Sequence, residues 1–276
     1  MMRISIITPS LNQGRFLAEA LESVRRQQYP NVEHLVYDGG SADETLGILQ
    51  ATTDPHLRWQ SQPDSGQSEA LNRGFDEAQG DIIGWLNADD RYTGGCFRHV
   101  VRAFADDPDL DVLYGDLAEI DECGKLRRVR REVDFNRFIL LYHHVLYIPT
   151  PTAFYRRRVF DAGNRLRPEL HYAMDYEFFL RLSALGYRIR RIPRLLAEFR
   201  IHSQSKSCRA ALAQTAEKQQ ILCAHSPLAR KLHSPTMRRA AFFALALVAA
   251  LLRRLRKAAR GDYLSFALSN LNEGEV

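Results

Sequence analysis

Residues Asn87-Ala88-Asp89-Asp90 set two adjacent carboxylates directly after an apolar run, Ile82-Ile83-Gly84-Trp85-Leu86. That run has the composition of a buried parallel strand. Carboxylates at the C-terminal end of such a strand lie where open α/β sheets bind ligands. Hard oxygen ligands suit Mg2+ or Mn2+, ions that usually carry substrate phosphates. Asp89 and Asp90 are therefore candidate metal ligands beside a diphosphate. The plainer reading of the same pair is a solvated turn.

Three other polar loops end strand-like runs. Residues 4–8 lead into Thr8-Pro9-Ser10-Leu11-Asn12-Gln13, and residues 32–37 lead into Asp38-Gly39-Gly40-Ser41. Residues 57–61 lead into Pro63-Asp64-Ser65-Gly66-Gln67, with Asn72 on the helix that follows. Glycines there let backbone approach a ligand closely. Asp38 is placed to accept from a nucleobase N–H or a ribose hydroxyl; as a lone residue it is equally a helix-entry turn. The runs between these loops read as helices. Leu17, Ala20, Leu21 and Val24 have helical spacing, as do Ala70, Leu71, Gly74 and Ala78. Ser41 and Glu44 have capping-box spacing for a short helix to residue 50. This β-α-β-α order predicts a mainly parallel sheet with right-handed crossovers, which sets all four loops at one edge.

The pattern changes after residue 94. Helices are expected over 94–105, 135–145, 156–162 and 174–185, the last closed by Gly186. Strands over 111–114 and 125–132 flank a turn-rich Asp121-Glu122-Cys123-Gly124, and a late strand covers 187–192.

In this order the motifs resemble family 2 glycosyltransferases, closest to the bacterial surface-polysaccharide branch. The matching blocks are residues 6–13, 37–43, 64–74 and 80–90, with a later acidic motif, Asp-Tyr-Glu-Phe-Phe-Leu-Arg-Leu, at 175–182. The resemblance covers residues 3–203. It implies a GT-A, Rossmann-like fold and a nucleotide-diphospho-sugar donor, most simply a UDP-sugar. It also implies a divalent ion, Mn2+ or Mg2+, and inversion at the anomeric carbon. On it, Thr8, Pro9, Asn12, Asp38, Asp64, Gly66, Gln67, Asn72, Asn87, Ala88, Asp89 and Arg200 line the donor side. Asn87-Ala88-Asp89 stands at the family's Asp-x-Asp position, so the first carboxylate is an amide here. Asp89 is favoured over Asp90 for the metal, and His202 is a candidate further ligand. Asp175 is the candidate general base, with Tyr176 and Glu177 as packing and support. Read without the resemblance, Asp175 is a helix-start carboxylate favoured by the dipole. Pro151-Thr152 borders the acceptor pocket, no chemistry is assigned to Asp116, and His143-His144, without a metal-ligand partner at helical spacing, take either an acceptor-side or a structural role.

The 276 residues carry a net charge of +5 and four scattered cysteines without metal-ligand spacing. The strand-like start leaves no room for a signal peptide, so a cytoplasmic location is expected. No nucleic-acid-binding signature is present. Two units are expected: a catalytic domain over 1–207 and a basic helical tail over 208–276. Residues 218–261 contain basic residues and no acidic one. Within them, residues 240–252 form thirteen small or apolar residues between arginines. Two readings stand for this tail: an interfacial helix on anionic lipid, or a helix packed on the domain or a partner. The expected acceptor is a glycan or lipid-linked glycan of the cell surface. The rival readings are a nucleotidyltransferase and a catalytically inactive nucleotide- or glycan-binding module.

Overall fold

The computed structural model describes residues 1–143, 145–203, 211–232 and 234–260. Its first half alternates strand and helix: β1 (Ile4–Ser10), α1 (Gly14–Arg25), β2 (Val32–Asp38), α2 (Thr45–Ala51), β3 (Leu57–Ser61), α3 (Gln67–Glu77) and β4 (Ile82–Trp85). The second half carries β5 (Arg91–Tyr92), α4 (Cys96–Asp106), β6 (Val112–Ile120), β7 (Leu126–Arg130), α5 (Arg137–Tyr142), β8 (Phe154–Arg156), α6 (Arg157–Asp161), α7 (Met174–Ala184) and β9 (Ile189–Arg200). Among the described residues that follow are α8 (Ala211–His225), α9 (Pro227–Lys231) and α10 (Pro235–Ala259).

The nine strands form one sheet in the order β3-β2-β1-β4-β8-β6-β9-β5, with β7 paired to β6. β3, β2, β1 and β4 run parallel, and so do β6 and β9. The chain is thus an α/β protein with a mostly parallel sheet flanked by helices. β1 has β2 on one side and β4 on the other, so the direction of winding reverses there. A crevice opens at such a switch point, outside the carboxyl ends of the strands.

Alternation along β1 divides the core. Ile7 faces a cluster with α3, α5 and α7, whereas Ile4 and Ile6 face a second cluster with α4. α3 lies close on β1 because residue 74 is glycine: a Cβ there would stand 2.4 Å from Ile7 Cγ2.

Some elements depart from expectation. β5 and β8 are too short to leave a periodic signal. β9 runs on to Arg200, past Pro193, which reads as a strand breaker. The register against β6 shifts opposite that proline, so the missing N–H falls in a bulge. α2 starts at Thr45, and Ser41 does not cap it. α5 starts at Arg137 because the Asn136 side chain accepts from Ile139 N, and it ends at Tyr142. Ile221 and Leu222 of α8 and Ala249 of α10 are buried in the same core as α5 and α7.

Candidate functional site

The loops after β1 and β2 are latched together. Asn12, with φ +52°, donates its N–H to Ser41 Oγ at 2.7 Å and accepts from Ala42 N at 2.9 Å. Gly14 N donates to Asp43 at 2.9 Å. Asp38 is buried, and Ser41 N, Gly40 N and Ser61 Oγ donate to one of its oxygens. Ser41 Oγ donates to the other. Its carboxylate therefore shapes the loop from within. Thr8 points into the sheet, with Oγ1 2.8 Å from His34 Nε2, and Pro9 is buried beside Tyr37.

The loop before α3 adds the third wall. Asp64 accepts from Gly66 N at 2.8 Å, and Gly66 holds φ +126°, which only glycine adopts readily. Gln67 reaches Asn87 Oδ1 at 2.9 Å. Asn72 is committed elsewhere: its amide donates to Leu166 O and accepts from Leu166 N, both at 2.9 Å. It clamps a backbone segment far away in sequence.

After β4 the adjacent carboxylates part company. Asp90 is 1% exposed; Arg200 N donates to one oxygen and Asn87 Nδ2 to the other, each at 3.0 Å. Burial, then the nearby Asp89 charge, pushes its pKa well above the usual carboxylate range. Both oxygens of Asp90 are thus engaged with protein, which departs from its expected place among the metal ligands. Asp89 is partly exposed and pairs with His202 Nε2 at 3.0 Å. Ala88, just before the two carboxylates, packs with Leu17 and Leu21 of α1.

The amide at residue 87 follows from this burial. It accepts from Trp85 Nε1 at 2.7 Å while donating to Asp90. An aspartate there would set oxygen against oxygen beside a buried carboxyl.

The Arg200 side chain is enclosed by protein groups. It is 1% exposed, lies over the Phe16 ring at 4.7 Å and pairs with Glu19 at 2.7 Å. It also donates to Asp89 O at 3.1 Å and Glu122 O at 2.8 Å. These contacts hold the Asp89 loop, β9 and α1 together. Phe16 also flanks the His202 ring, at 4.8 Å between centroids.

Asp175 occupies the first turn of α7, and Thr150 Oγ1 donates to it at 3.0 Å. Two consecutive residues of α3 join it to the Asp89 loop. Gln67 bonds Asn87, and Ser68 Oγ stands 2.8 Å from Met174 Sδ, the neighbour of Asp175. The first turn of α7 and the loop after β4 thus both meet the first turn of α3.

Glu177 is different. It is buried, with Arg181 at 3.0 Å and Arg167 and His225 each at 3.5 Å. Burial opposes its ionisation, but hydrogen bonds from His225 and Arg181 and the two arginine charges prevail and lower its pKa.

Sequence reading missed what α8 contributes. Glu217 accepts from His171 N at 2.9 Å and from Tyr172 N and Ala173 N at 2.8 Å. Three backbone donors just ahead of Asp175 are satisfied by one carboxylate. Burial lowers the pKa of Lys218, and the Asp175 charge opposes that shift. Nothing local in the sequence ties residues 217 and 218 to residue 175.

A divalent ion fits the pair Asp89 and His202 by donor chemistry, one hard oxygen and one imidazole nitrogen. Among the described residues no group of three or more His, Cys, Asp or Glu could hold an ion. The remaining ligands would be phosphate oxygens and water, as is usual where an ion rides on a substrate.

The sequence profile of glycosyl transferase family 2 matches residues 5–163. An uncharacterized glycosyltransferase of Mycobacterium tuberculosis is 32% identical over 181 residues, covering 64% of this chain and 68% of that protein. A PGL/p-HBAD biosynthesis glycosyltransferase of Mycobacterium bovis is 35% identical over 117 residues, covering 41% and 46%. Staphylococcus aureus TarS, solved with UDP-GlcNAc, superposes with a TM-score of 0.67 at 20% identity, over 81% of this chain and 66% of that one. Mannosyltransferase PcManGT of Pyrobaculum calidifontis, solved with GDP-Man and Mn2+, gives 0.62 at 18%, over 99% and 80%. The sheet order, the four loops at its carboxyl edge and the profile match agree: this chain belongs to glycosyl transferase family 2 and has a GT-A-like fold.

Proposed function

We propose that the chain is an inverting glycosyltransferase. It moves a sugar from a nucleoside-diphospho-sugar, in the first instance a UDP-sugar, to a hydroxyl of a glycan or lipid-linked acceptor. The observation that carries this reading is that the first turn of α3 bonds Asn87, two residues before Asp89, through Gln67 and Met174, next to Asp175, through Ser68, while Asp89 pairs with His202. The relatives supply the class of chemistry: TarS was solved with UDP-GlcNAc and PcManGT with GDP-Man and Mn2+.

The loops after β1, β2 and β3 form the nucleotide side. Asp38 and Asn12 hold their backbone in place; Asp64 and Gly66 form the third wall. Asp89 and His202 would hold Mn2+ or Mg2+. Such an ion, when bound, stabilises the charge that develops on a departing diphosphate. Asp175 takes the proton of the acceptor hydroxyl as that oxygen attacks C1 of the sugar. The new C1–O bond forms, the C1–O bond to the diphosphate breaks, and the nucleoside diphosphate leaves with the electron pair. A single displacement inverts the anomeric centre. Arg200, Asn87 and Asp90 position the Asp89 loop and touch no reacting atom.

The test is a melting-temperature screen of UDP- and GDP-sugars with Mn2+, then product analysis. A ligand that binds only the native state raises the melting temperature by mass action. A shift with a nucleotide sugar, followed by release of nucleoside diphosphate and an inverted product, is expected. Release of pyrophosphate from a nucleoside triphosphate and a sugar phosphate would make the protein a nucleotidyltransferase. Binding without turnover on any acceptor would make it a binding module.

A further inference from the structure

The helix α10 has two faces of opposite character. One is docked on the domain. Phe242 and Leu245 pack against the core, Ala249 is fully buried, and Arg253 pairs with the buried Glu132 at 2.9 Å. Arg260, next to the helix end, donates to Glu132 O at 2.9 Å. The other face is apolar and open: Phe243 is 67% exposed, Leu247 57%, Leu251 56% and Leu255 55%. These four recur every fourth residue, so they form one stripe. Arg238 and Arg239 lie at one end of the helix, and Arg254, Arg256 and Lys257 at the other. No acidic residue occurs between residues 218 and 261.

We propose that this open face of α10 rests on an anionic bilayer surface, with the stripe in the acyl boundary and the terminal arginines among headgroups. The proposal is independent of the glycosyl-transfer reading. An apolar face framed by cations matches an interfacial helix on anionic lipid. A second copy of the chain fits poorly. Either direction of helix pairing sets basic clusters against basic clusters, with no acid in the segment to relieve them. Spanning fits poorly too, although the helix is long and apolar enough to be a candidate. The uninterrupted run of residues 240–252 extends only about 20 Å as a helix, against a hydrocarbon core of about 30 Å. Its other face is also already occupied by protein. α10 packs on α5, and α5 packs on α7, so the lipid-facing helix is two helices away from Asp175.

The experiment is flotation of the full chain with vesicles of phosphatidylcholine alone or with phosphatidylglycerol. Binding to the anionic vesicles at low salt, weakened as salt rises, is expected. The double variant Leu247→Asp/Leu251→Asp should lower partitioning at least tenfold, and Arg239→Glu/Arg254→Glu should do the same. The four side chains are exposed, so the melting temperature and nucleotide-sugar binding should stay unchanged in both variants. Three results overturn the proposal: no binding to anionic vesicles at low salt; equal binding to neutral vesicles unaffected by salt; or a dimer by light scattering that the aspartate variant dissociates, without vesicle binding.

Discussion

Glu217 accepts the backbone N–H of Ala173 at 2.8 Å, two residues ahead of Asp175. A carboxylate from α8 thus completes the entry to the helix that carries the proposed base. Glu217→Ala strips the partners of three N–H groups, a loss of about 1–2 kcal/mol. It should also let Asp175 wander, and small misplacements of a reacting group are costly. The expected result is a kcat lower by about tenfold with donor affinity held. Steady-state kinetics with nucleotide-binding calorimetry checks it, and an unchanged kcat would reduce Glu217 to a stabilising contact.

Asp175 and Glu177 lie two residues apart and should fail in different ways. Asp175→Asn keeps the shape and removes the proton acceptor, so turnover should fall by roughly 10²–10⁴. Its melting temperature should hardly move. Glu177→Gln removes the buried counter-charge of the partly exposed Arg181 and Arg167 and should cost about 1–3 kcal/mol. Urea unfolding beside a transfer assay separates the two. Near-normal transfer by Asp175→Asn would move the base elsewhere.

Metal removal should matter through Asp89. Calorimetry of UDP binding in Mn2+ and in chelator should show tighter binding with the ion. Asp89→Asn and His202→Ala should each weaken the Mn2+ value by at least about tenfold and leave the chelator value alone. Equal affinities with and without Mn2+ in the unaltered protein would remove the ion from donor binding.

Restoring a carboxylate at residue 87 should harm this protein. Asn87→Asp deletes the N–H that Asp90 accepts at 3.0 Å and opposes two acceptors in a buried place. The expected loss is about 1–3 kcal/mol, read as a lowered melting temperature. A variant as stable as the parent would show that the loop relaxes freely.

His34 should make the protein acid-sensitive. It is buried, and desolvation lowers its pKa from 6.5 to about 4. Below pH 6.5 the unfolded chain takes up a proton there that the folded chain refuses until pH 4. The unfolded state therefore binds more protons in that window, and stability falls as pH drops through it. The span corresponds to about 3 kcal/mol. His34→Gln should flatten the loss between pH 6.5 and 4, measured by urea titration. Parallel pH profiles for both proteins would exclude His34 as the cause.

The donor half of the fold was legible because its signals are local. Apolar runs of four to seven residues, helical spacing in α1 and α3, and glycine-bearing loops each form within one stretch of chain. With right-handed crossovers these place Asp38, Asp64 and Asp89 at one edge before any coordinate is known. β8 and β5 were not legible, since strands of three and two residues leave no period to detect.

Sequence alone determined the family and the parallel sheet edge at which the glycine-bearing loops end. Tertiary structure decided what each one does. Neighbouring carboxylates at a strand end can turn to opposite sides, and which side is buried depends on β9 arriving 110 residues later with the Arg200 N–H for Asp90. The same arrival sets His202 against Asp89 and seals the Arg200 guanidinium away from solvent. The tail posed the same problem, because one apolar helix reads alike whether it meets protein or lipid. Packing of Ala249 and the Arg253–Glu132 pair settled which face meets protein, since desolvation and ion pairing depend on partners that lie far away along the chain.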